Sequence, residues 1–403
     1  MYNTHEITPG LHWIGGNDRR LERFENLFPL RFGVAYNSFL IMDEKTCLLD
    51  TVDLSINQLF LENVKQVLNG RNLDYLVVNH MEPDHCGNIE AIIRRYPDVR
   101  FIGNAKTFQF FEQFYDFDAR KNYQMVKDQE ELDLGSRTLR FYTAPMVHWP
   151  EVMMTFDVTN HILFSADAFG TFGAHNGTYF ADEMDYRRDH LDEARRYYAN
   201  IVGKFGTPVQ SIMRKLSNEV IKVICPLHGP IYRNEELALI LDKYEKWSRY
   251  IPETNSALLI FGTMYNNTGD VVDALATRLG QLGVRNMRIY DVSEHDPSYL
   301  VAEAWNYSHI IIASPTYNTG LFYKIDGLLH ELVSLNLQNR KFSVIVNSTW
   351  GGQTLEQLLE QIGKMKNTSV VGEPLLIKST LKDHNMLELE ALAKDIAASI
   401  LNE

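Results

Sequence analysis

The stretch YLVVNHMEPDHCGN, residues 75–88, packs His80, Glu82, Asp84 and His85 into six positions directly after an apolar run. Leu76, Val77 and Val78 read as a buried strand, so His80 falls at its carboxyl end, where α/β layers gather the loops that carry function. His80, Glu82 and Asp84 alternate, and an extended loop would turn all three the same way. Pro83 disfavours the helical region for the residue before it and predicts an extended Glu82. Two imidazoles and two carboxylates at one strand end point to a metal site. Imidazole and carboxylate without thiolate suit iron, manganese or zinc rather than copper(I).

Three further residues occur in the same local context. His148 follows LRFYTAPMV, Asp167 ends HILFSAD, and His228 ends VIKVICPLH. Each comes off an apolar run and lies near Gly or Pro. A lone histidine at a strand end is most often a satisfied core or surface residue. The unit H-x-E-x-D-H together with three matching strand ends shifts the balance to a metal centre. Three histidines and three carboxylates, with His85 as a seventh group, are too many for one tetrahedral ion. They suit two ions bridged by a carboxylate.

The rest of the chain bounds this reading. It has 403 residues, too many for one ordinary core, so two domains are expected. The boundary is expected near KWSRYIPETNSALLIFGTM, giving domains over 1–250 and 253–403. The first alternates strands and helices: a hairpin across Asp43, Glu44 and Lys45, a helix over SINQLFLENVKQVLNG stopping at Gly70, and another over NIEAIIRRYP. The second repeats strand, loop and helix, which means a parallel sheet with helices on both faces. The formal net charge of −13 argues against nucleic acid or an anionic membrane as partner. The three cysteines, Cys47, Cys86 and Cys225, form no C-x-x-C pair, so a disulfide framework or iron–sulfur site is not expected. There is no secretory leader and no run near the length of a membrane span, so a reducing, cytoplasmic setting is expected.

The second part carries a different constellation. The strand ALLIFG leads into Thr263, Met264, Tyr265, Asn266, Asn267 and Thr268, and a helix follows. Phosphate placed there meets hydroxyls, loop N–H groups and a helix N-terminus. This loop resembles the phosphate loop of flavodoxins. It lacks the G-K-[ST] of a Walker loop and the G-x-G-x-x-G of a dinucleotide fold. Two more strand ends carry Ser314, Pro315, Thr316, Tyr317 and Asn318, and Ser348, Thr349, Trp350, Gly351 and Gly352. Tyr317 and Trp350 are expected to border a flat ring, and the glycines to let backbone approach it. Three such loops favour FMN.

The unit HMEPDH with His148, Asp167 and His228 downstream resembles the metallo-β-lactamase fold, whose hydrolases mostly carry H-x-H-x-D-H and bind zinc. Glu82 at the second position, followed by a flavodoxin-like half, resembles the flavodiiron proteins over the whole chain. That resemblance implies an α/β architecture: an N-terminal metallo-β-lactamase-like αββα sandwich, then a flavodoxin-like doubly wound parallel sheet. It implies that His80, Glu82 and His148 bind one iron, that Asp84 and His228 bind the other, and that Asp167 bridges. His85 matches a position that ligates iron in some members and is swung away in others. Asp50, in CLLDTVD, resembles the carboxylate that orients a ligand imidazole from outside in this fold. Tyr197 or Tyr198 would supply a hydroxyl to the pocket. The implied activity is reduction of O2 to water, of NO to N2O, or both. The implied route runs from an external donor to FMN to the di-iron site, in a head-to-tail homodimer or a homotetramer. With no C-x-x-C module in the sequence, a separate rubredoxin-like donor is expected. The competing expectation is a di-zinc hydrolase with a flavodoxin-like accessory domain.

Overall fold

The computed structural model describes residues 2–402. The chain divides into two compact units, one formed by 2–198 and 205–245 and the other by 199–204 and 246–402. The change of unit falls inside the helix Asn234–Ser248, a few residues before Pro252.

The first unit is built on two sheets packed face to face. One runs in the order His5–Thr8, Leu11–Trp13, Phe39–Met42, Thr46–Leu49, Tyr75–Val77, Arg100–Gly103, Tyr123–Met125. The other runs Glu131–Asp133, Thr138–Thr143, Met153–Asp157, Ile162–Phe164, Val223–Cys225, Tyr232–Arg233. Trp13, Phe39, Leu49 and Val77 from the first meet Phe141, Met153, Phe164 and Cys225 from the second in a single buried cluster. Each such side chain contributes about 1.5–3 kcal/mol by leaving water. The helices Asn57–Leu68 and Ala105–Phe114 cover the first sheet and Gly206–Leu216 the second, giving helix, sheet, sheet, helix.

Local signals explain the elements near the site. Phe39–Met42 and Thr46–Leu49 pair antiparallel with Met42 opposite Thr46, so Asp43, Glu44 and Lys45 form the connection. Asn57–Leu68 buries Phe60, Val64 and Leu68 on one face. It stops one residue earlier than Gly70 suggests: Asn69 is already left-handed at φ 45°, a conformation asparagine tolerates, and Gly70 follows at φ 87°. Glu82 is extended, with ψ 144°. The extended run expected through Asp84 ends there, because Pro83 opens a helical turn, Pro83–Cys86. Proline fits the first helical position, where its fixed φ suits the helix and its missing N–H is not needed. Asp84 and His85 therefore ride on a helical turn rather than on an alternating strand.

The second unit is a parallel sheet in the order Arg288–Asp291, Thr254–Phe261, Tyr307–Tyr317, Lys341–Asn347, then the short Ser369–Val370 and Leu375–Ile377 beside the last. The helices Asn267–Gln281 and Asp383–Leu401 pack on one face, Pro297–Asn306 and Thr354–Gly363 on the other. The order reverses beside Thr254–Phe261, which opens a crevice at the carboxyl ends of the central strands. Among the described residues, no helix is long and apolar enough to cross a membrane.

Candidate functional site

Loops after the strands Tyr75–Val77, Thr138–Thr143, Ile162–Phe164 and Val223–Cys225 converge on one buried point in the first unit. Among the described residues, two donor groups form there: His80, Glu82, His148 and Asp167, and beside them Asp84, His85 and His228. In the first group His80 Nε2 lies 3.2 Å from Glu82 Oε2, 3.4 Å from His148 Nε2 and 3.3 Å from Asp167 Oδ2. His148 Nε2 lies 3.1 Å from Glu82 Oε2 and 3.0 Å from Asp167 Oδ2. In the second, His85 Nε2 lies 3.4 Å from Asp84 Oδ2 and 3.1 Å from Asp167 Oδ1. His228 Nε2 lies 3.2 Å from Asp84 Oδ2 and 3.6 Å from Asp167 Oδ1. Asp167 thus turns one oxygen to each group. Donors at a bond length of about 2.1 Å from one ion would stand at such spacings.

The outer partners fix what these atoms can do. His80 Nδ1 donates to Glu151 Oε1 at 2.7 Å, and His228 Nδ1 donates to the Ala35 carbonyl at 2.9 Å. In the neutral rings that leaves each Nε2 a lone pair, aimed at carboxylate oxygens. Acceptors facing acceptors repel unless a cation lies between them. Asp84 Oδ1 and Oδ2, Asp167 Oδ1, His85 Nε2 and His228 Nε2 are all buried without a hydrogen bond. Such a set fits metal ions.

The electrostatics express the same demand for positive charge. Burial alone would lower the His85 pKa, yet the charges of Asp84 and Asp167 raise it to about 9. Burial opposes protonation of His148 too, and hydrogen bonds to Asp167 and Glu82 raise it to about 9. Against the effect of burial, hydrogen bonds from His148 and His80 hold Glu82 well below the usual carboxylate range. Asp167 is held low in the same way, chiefly by the His85 charge.

Around the centre, the sequence reading needs one correction. Asp50 was expected to orient an imidazole. It accepts instead from Asn79 N–H and Nδ2–H, both at 2.7 Å, and from the His80 backbone N–H at 3.2 Å. It fixes the backbone that carries His80, and the imidazole is held by Glu151, which the sequence reading missed. Glu151 Oε1 also accepts from Met81 N–H at 2.9 Å. The only signal was a carboxylate three residues after His148. Of the two tyrosines, Tyr197 stands by the site, its ring 5.6 Å from that of His228 and its buried hydroxyl without a hydrogen bond. Tyr198 packs edge-on to Tyr244.

A cavity of about 550 Å³ opens over the centre, lined in part by Phe24, Glu25, Tyr36, Asp53, Glu82 and Asp84. Glu25 and Asn26 form the tip of the hairpin between Arg23–Phe24 and Phe28–Pro29, both left-handed at φ 51° and 57°. Although Glu25 stands at the rim, the concave mouth dehydrates its carboxyl. That dehydration first, then the charge of Glu82, raises its pKa to about 8. Sequence reading did not single out Glu25, because nothing in ERFENLF marks a hairpin tip over a distant loop.

In the second unit, the three loops expected to cradle a flavin lie at the carboxyl ends of the adjacent strands Thr254–Phe261, Tyr307–Tyr317 and Lys341–Asn347. Thr263 Oγ1 is buried without a hydrogen bond at the head of the first loop, where the helix Asn267–Gln281 begins. Met264 and Tyr265 point outward, while Asn266 is left-handed at φ 66° and its Nδ2 donates to Asp270 at 2.9 Å. Thr268 is buried. Tyr317 and Trp350 are exposed, Trp350 to 70%. Thr316 bonds Thr354 across the second and third loops at 2.8 Å, and Thr349 bonds Ser379 at 3.1 Å. Ser348 N–H donates to the Ile377 carbonyl at 2.9 Å. Gly352 sits at φ 119°, where a Cβ would come within 2.6 Å of Thr316. Exposed rings on the second and third loops, with an unpaired hydroxyl and a helix N-terminus on the first, fit a flat phosphorylated ligand.

Comparison with known proteins agrees with both halves. Residues 34–229 match the family model described as ODP family beta lactamase. A nitric oxide reductase of Moorella thermoacetica is 32% identical over 374 residues, covering 91% of each chain. An anaerobic nitric oxide reductase flavorubredoxin of Pectobacterium atrosepticum is 29% identical over 88% of this chain and 70% of its own. The solved rubredoxin oxygen:oxidoreductase of Desulfovibrio gigas superposes with a TM-score of 0.91 at 26% identity over 99% of both chains. The flavodiiron protein of Giardia intestinalis shares the fold, with a TM-score of 0.91 at 22% identity over 99% of this chain and 97% of its own. The metallo-β-lactamase-like half and the flavodoxin-like half thus occur together, in this order, in relatives that span the whole chain, and the chain belongs to the flavodiiron protein family.

Proposed function

We infer that this chain is an oxidoreductase that reduces O2 to water, NO to N2O, or both, at a non-haem di-iron centre, with electrons from an external donor by way of FMN. The position of Asp167 carries the reading, because its two oxygens face two separate groups of buried donors. The nitric oxide reductase and rubredoxin oxygen:oxidoreductase relatives support the substrate class and a rubredoxin-like donor. His80, Glu82 and His148 would hold one iron, Asp84, His85 and His228 the other, and Asp167 would bridge them. Glu82, where the hydrolases of this fold carry imidazole, adds negative charge that favours the higher oxidation states of a redox site.

Bound iron supplies the binding and reduction of a diatomic gas, and bound FMN supplies electrons singly or in pairs. The protein does the rest. Glu151 and the Ala35 carbonyl keep the ligand rings in one tautomer. The Tyr197 hydroxyl offers a hydrogen bond beside His228. Phe24 and Phe172 pack on Tyr197 and limit water there. Reduction of O2 to two waters takes up four electrons and four protons. Coupling of two NO to N2O and one water takes up two of each. Glu25, over the cavity, is placed to hold and pass those protons. In the second unit, Thr263, Thr268 and the first turn of Asn267–Gln281 would take the FMN phosphate, with Tyr317 and Trp350 bordering the ring.

The reading is tested by counting iron and FMN per chain, then following anaerobic turnover with reduced rubredoxin and either O2 or NO. About two irons, one FMN and gas consumption support it. Two zinc ions and no gas consumption would make the chain a hydrolase. A head-to-tail homodimer, or a tetramer built from it, is proposed for transfer between flavin and irons of different subunits, in the cytoplasm. A monomer by sedimentation would overturn the dimer.

A further inference from the structure

Asn37 is fully buried, and its side chain uses every hydrogen-bonding site it has. Its Oδ1 accepts from Trp13 Nε1–H at 2.8 Å and from His175 Nε2–H at 3.0 Å. Its Nδ2 donates to the carbonyls of Pro226 and Gly229, both at 2.8 Å. Its backbone N–H donates to the Leu227 carbonyl at 2.8 Å. One residue therefore grips three members of the segment 226–229, and the fourth is His228. A flipped amide would set two donors against two donors and one oxygen against two carbonyls, so the partners permit one orientation. The imidazole of His228 is anchored to the adjoining strand, Val34–Tyr36, through Nδ1 and the carbonyl of Ala35. Both the loop and the ring it carries are thus referenced to 35–37. The distance from His228 Nε2 to Asp84 Oδ2, 3.2 Å, depends on that reference.

We propose that Asn37 is the positioning residue of the second metal position: its four-bonded side chain holds the 226–229 segment so that His228 meets Asp84 and Asp167 across one ion. Asn37 touches no donor atom of the centre and acts only through the loop. The proposal rests on the two-metal reading of the centre.

The test is an anaerobic titration of the metal-stripped full chain with Co2+, following ligand-field absorption and bound metal per chain. Wild type is expected to bind two ions. Asn37→Asp keeps the size and the acceptor but loses both donors to the loop. It should lower affinity at one position by 10–100-fold, the range for loss of an outer partner, and leave the other within about 2-fold. Combined with His228→Gln, it should add no further loss, since both changes act on the same ligand. His175→Leu removes one donor from the amide while leaving the loop bonds, and should give a smaller loss at the same position. It carries the test if Asn37→Asp does not fold. Equal loss at both positions, no loss at either, or additivity with His228→Gln overturns the proposal. Failure of wild type to bind two ions would overturn the two-metal reading itself.

Discussion

Glu151 and Glu25 show how differently two carboxylates can serve one centre. Glu151 is fully buried, with its negative charge spent on His80 and on the Met81 N–H. Glu151→Gln keeps an acceptor and loses the charge, so iron affinity at the first donor group is expected to fall about 10-fold, the low end for loss of an outer partner. Competition with a chelator checks it. Glu25 faces the cavity from a left-handed position, which costs a non-glycine residue about 1–3 kcal/mol and persists where the surroundings impose it. Cations bound beneath it would pull its raised pKa down again, so its role is better judged by removal. Glu25→Gln is expected to lower turnover about 100-fold or more while iron and FMN contents stay the same. Unchanged turnover would remove Glu25 from the proton path. At this scale, sequence showed residues defined by their own motif, such as His80 and Glu82. It did not show Glu151 or Glu25, whose roles arise from loops far apart in the chain.

Among the elements, the turn at Pro83 and the third loop of the second unit teach opposite lessons. Alternation along HMEPD suggested one extended run, and proline ended it, because the first position of a helix suits proline better than a strand interior does. The donors still converge, since the helical turn lifts Asp84 and His85 toward the second group. Local propensity misjudged the shape of the backbone, while the residue types singled out are the donors that converge. In the third loop, Gly352 combines φ 119° with a Cβ position filled by Thr316. Gly352→Val must shift the loop that borders the ring. Strain of about 1–3 kcal/mol there corresponds to FMN affinity at least about 5-fold weaker. Flavin fluorescence on titration of the apoprotein reads this directly, and unaltered affinity would detach the loop from the cofactor. The parallel sheet of the second unit, with helices on both faces, was implied by its repeating strand and helix pattern; the order of its strands was not. Its helices Pro297–Asn306 and Thr354–Gly363, ten residues each, were not singled out.

For the molecule as a whole, acid stability has an identifiable contributor. Burial lowers the pKa of His175 to about 3, and the nearby charges of His190 and Arg19 add to the effect. The native ring stays neutral while the unfolded chain takes up a proton below 6.5. Its contribution is complete above pH 6.5 and is lost as pH falls toward 3, at up to about 1.4 kcal/mol per unit. In urea unfolding of the apoprotein, His175→Leu is expected to flatten the decline in stability between pH 6.5 and 4. Equal slopes would assign that decline to other groups. The two-unit design was legible from length and from the change of pattern near Pro252. The clamp at Asn37 was not, for nothing in YNSFLIM reveals a partner nearly two hundred residues away. That separation has a consequence for biosynthesis. His80 leaves the ribosome roughly 150 residues before His228, a lag of roughly 7–30 s at typical elongation rates. A nascent chain therefore offers only a partial set of donors until the Val223–Cys225 strand takes its place. On the two-metal reading, the second donor group is completed last, so a chain interrupted before His228 would have one full set of donors and not two.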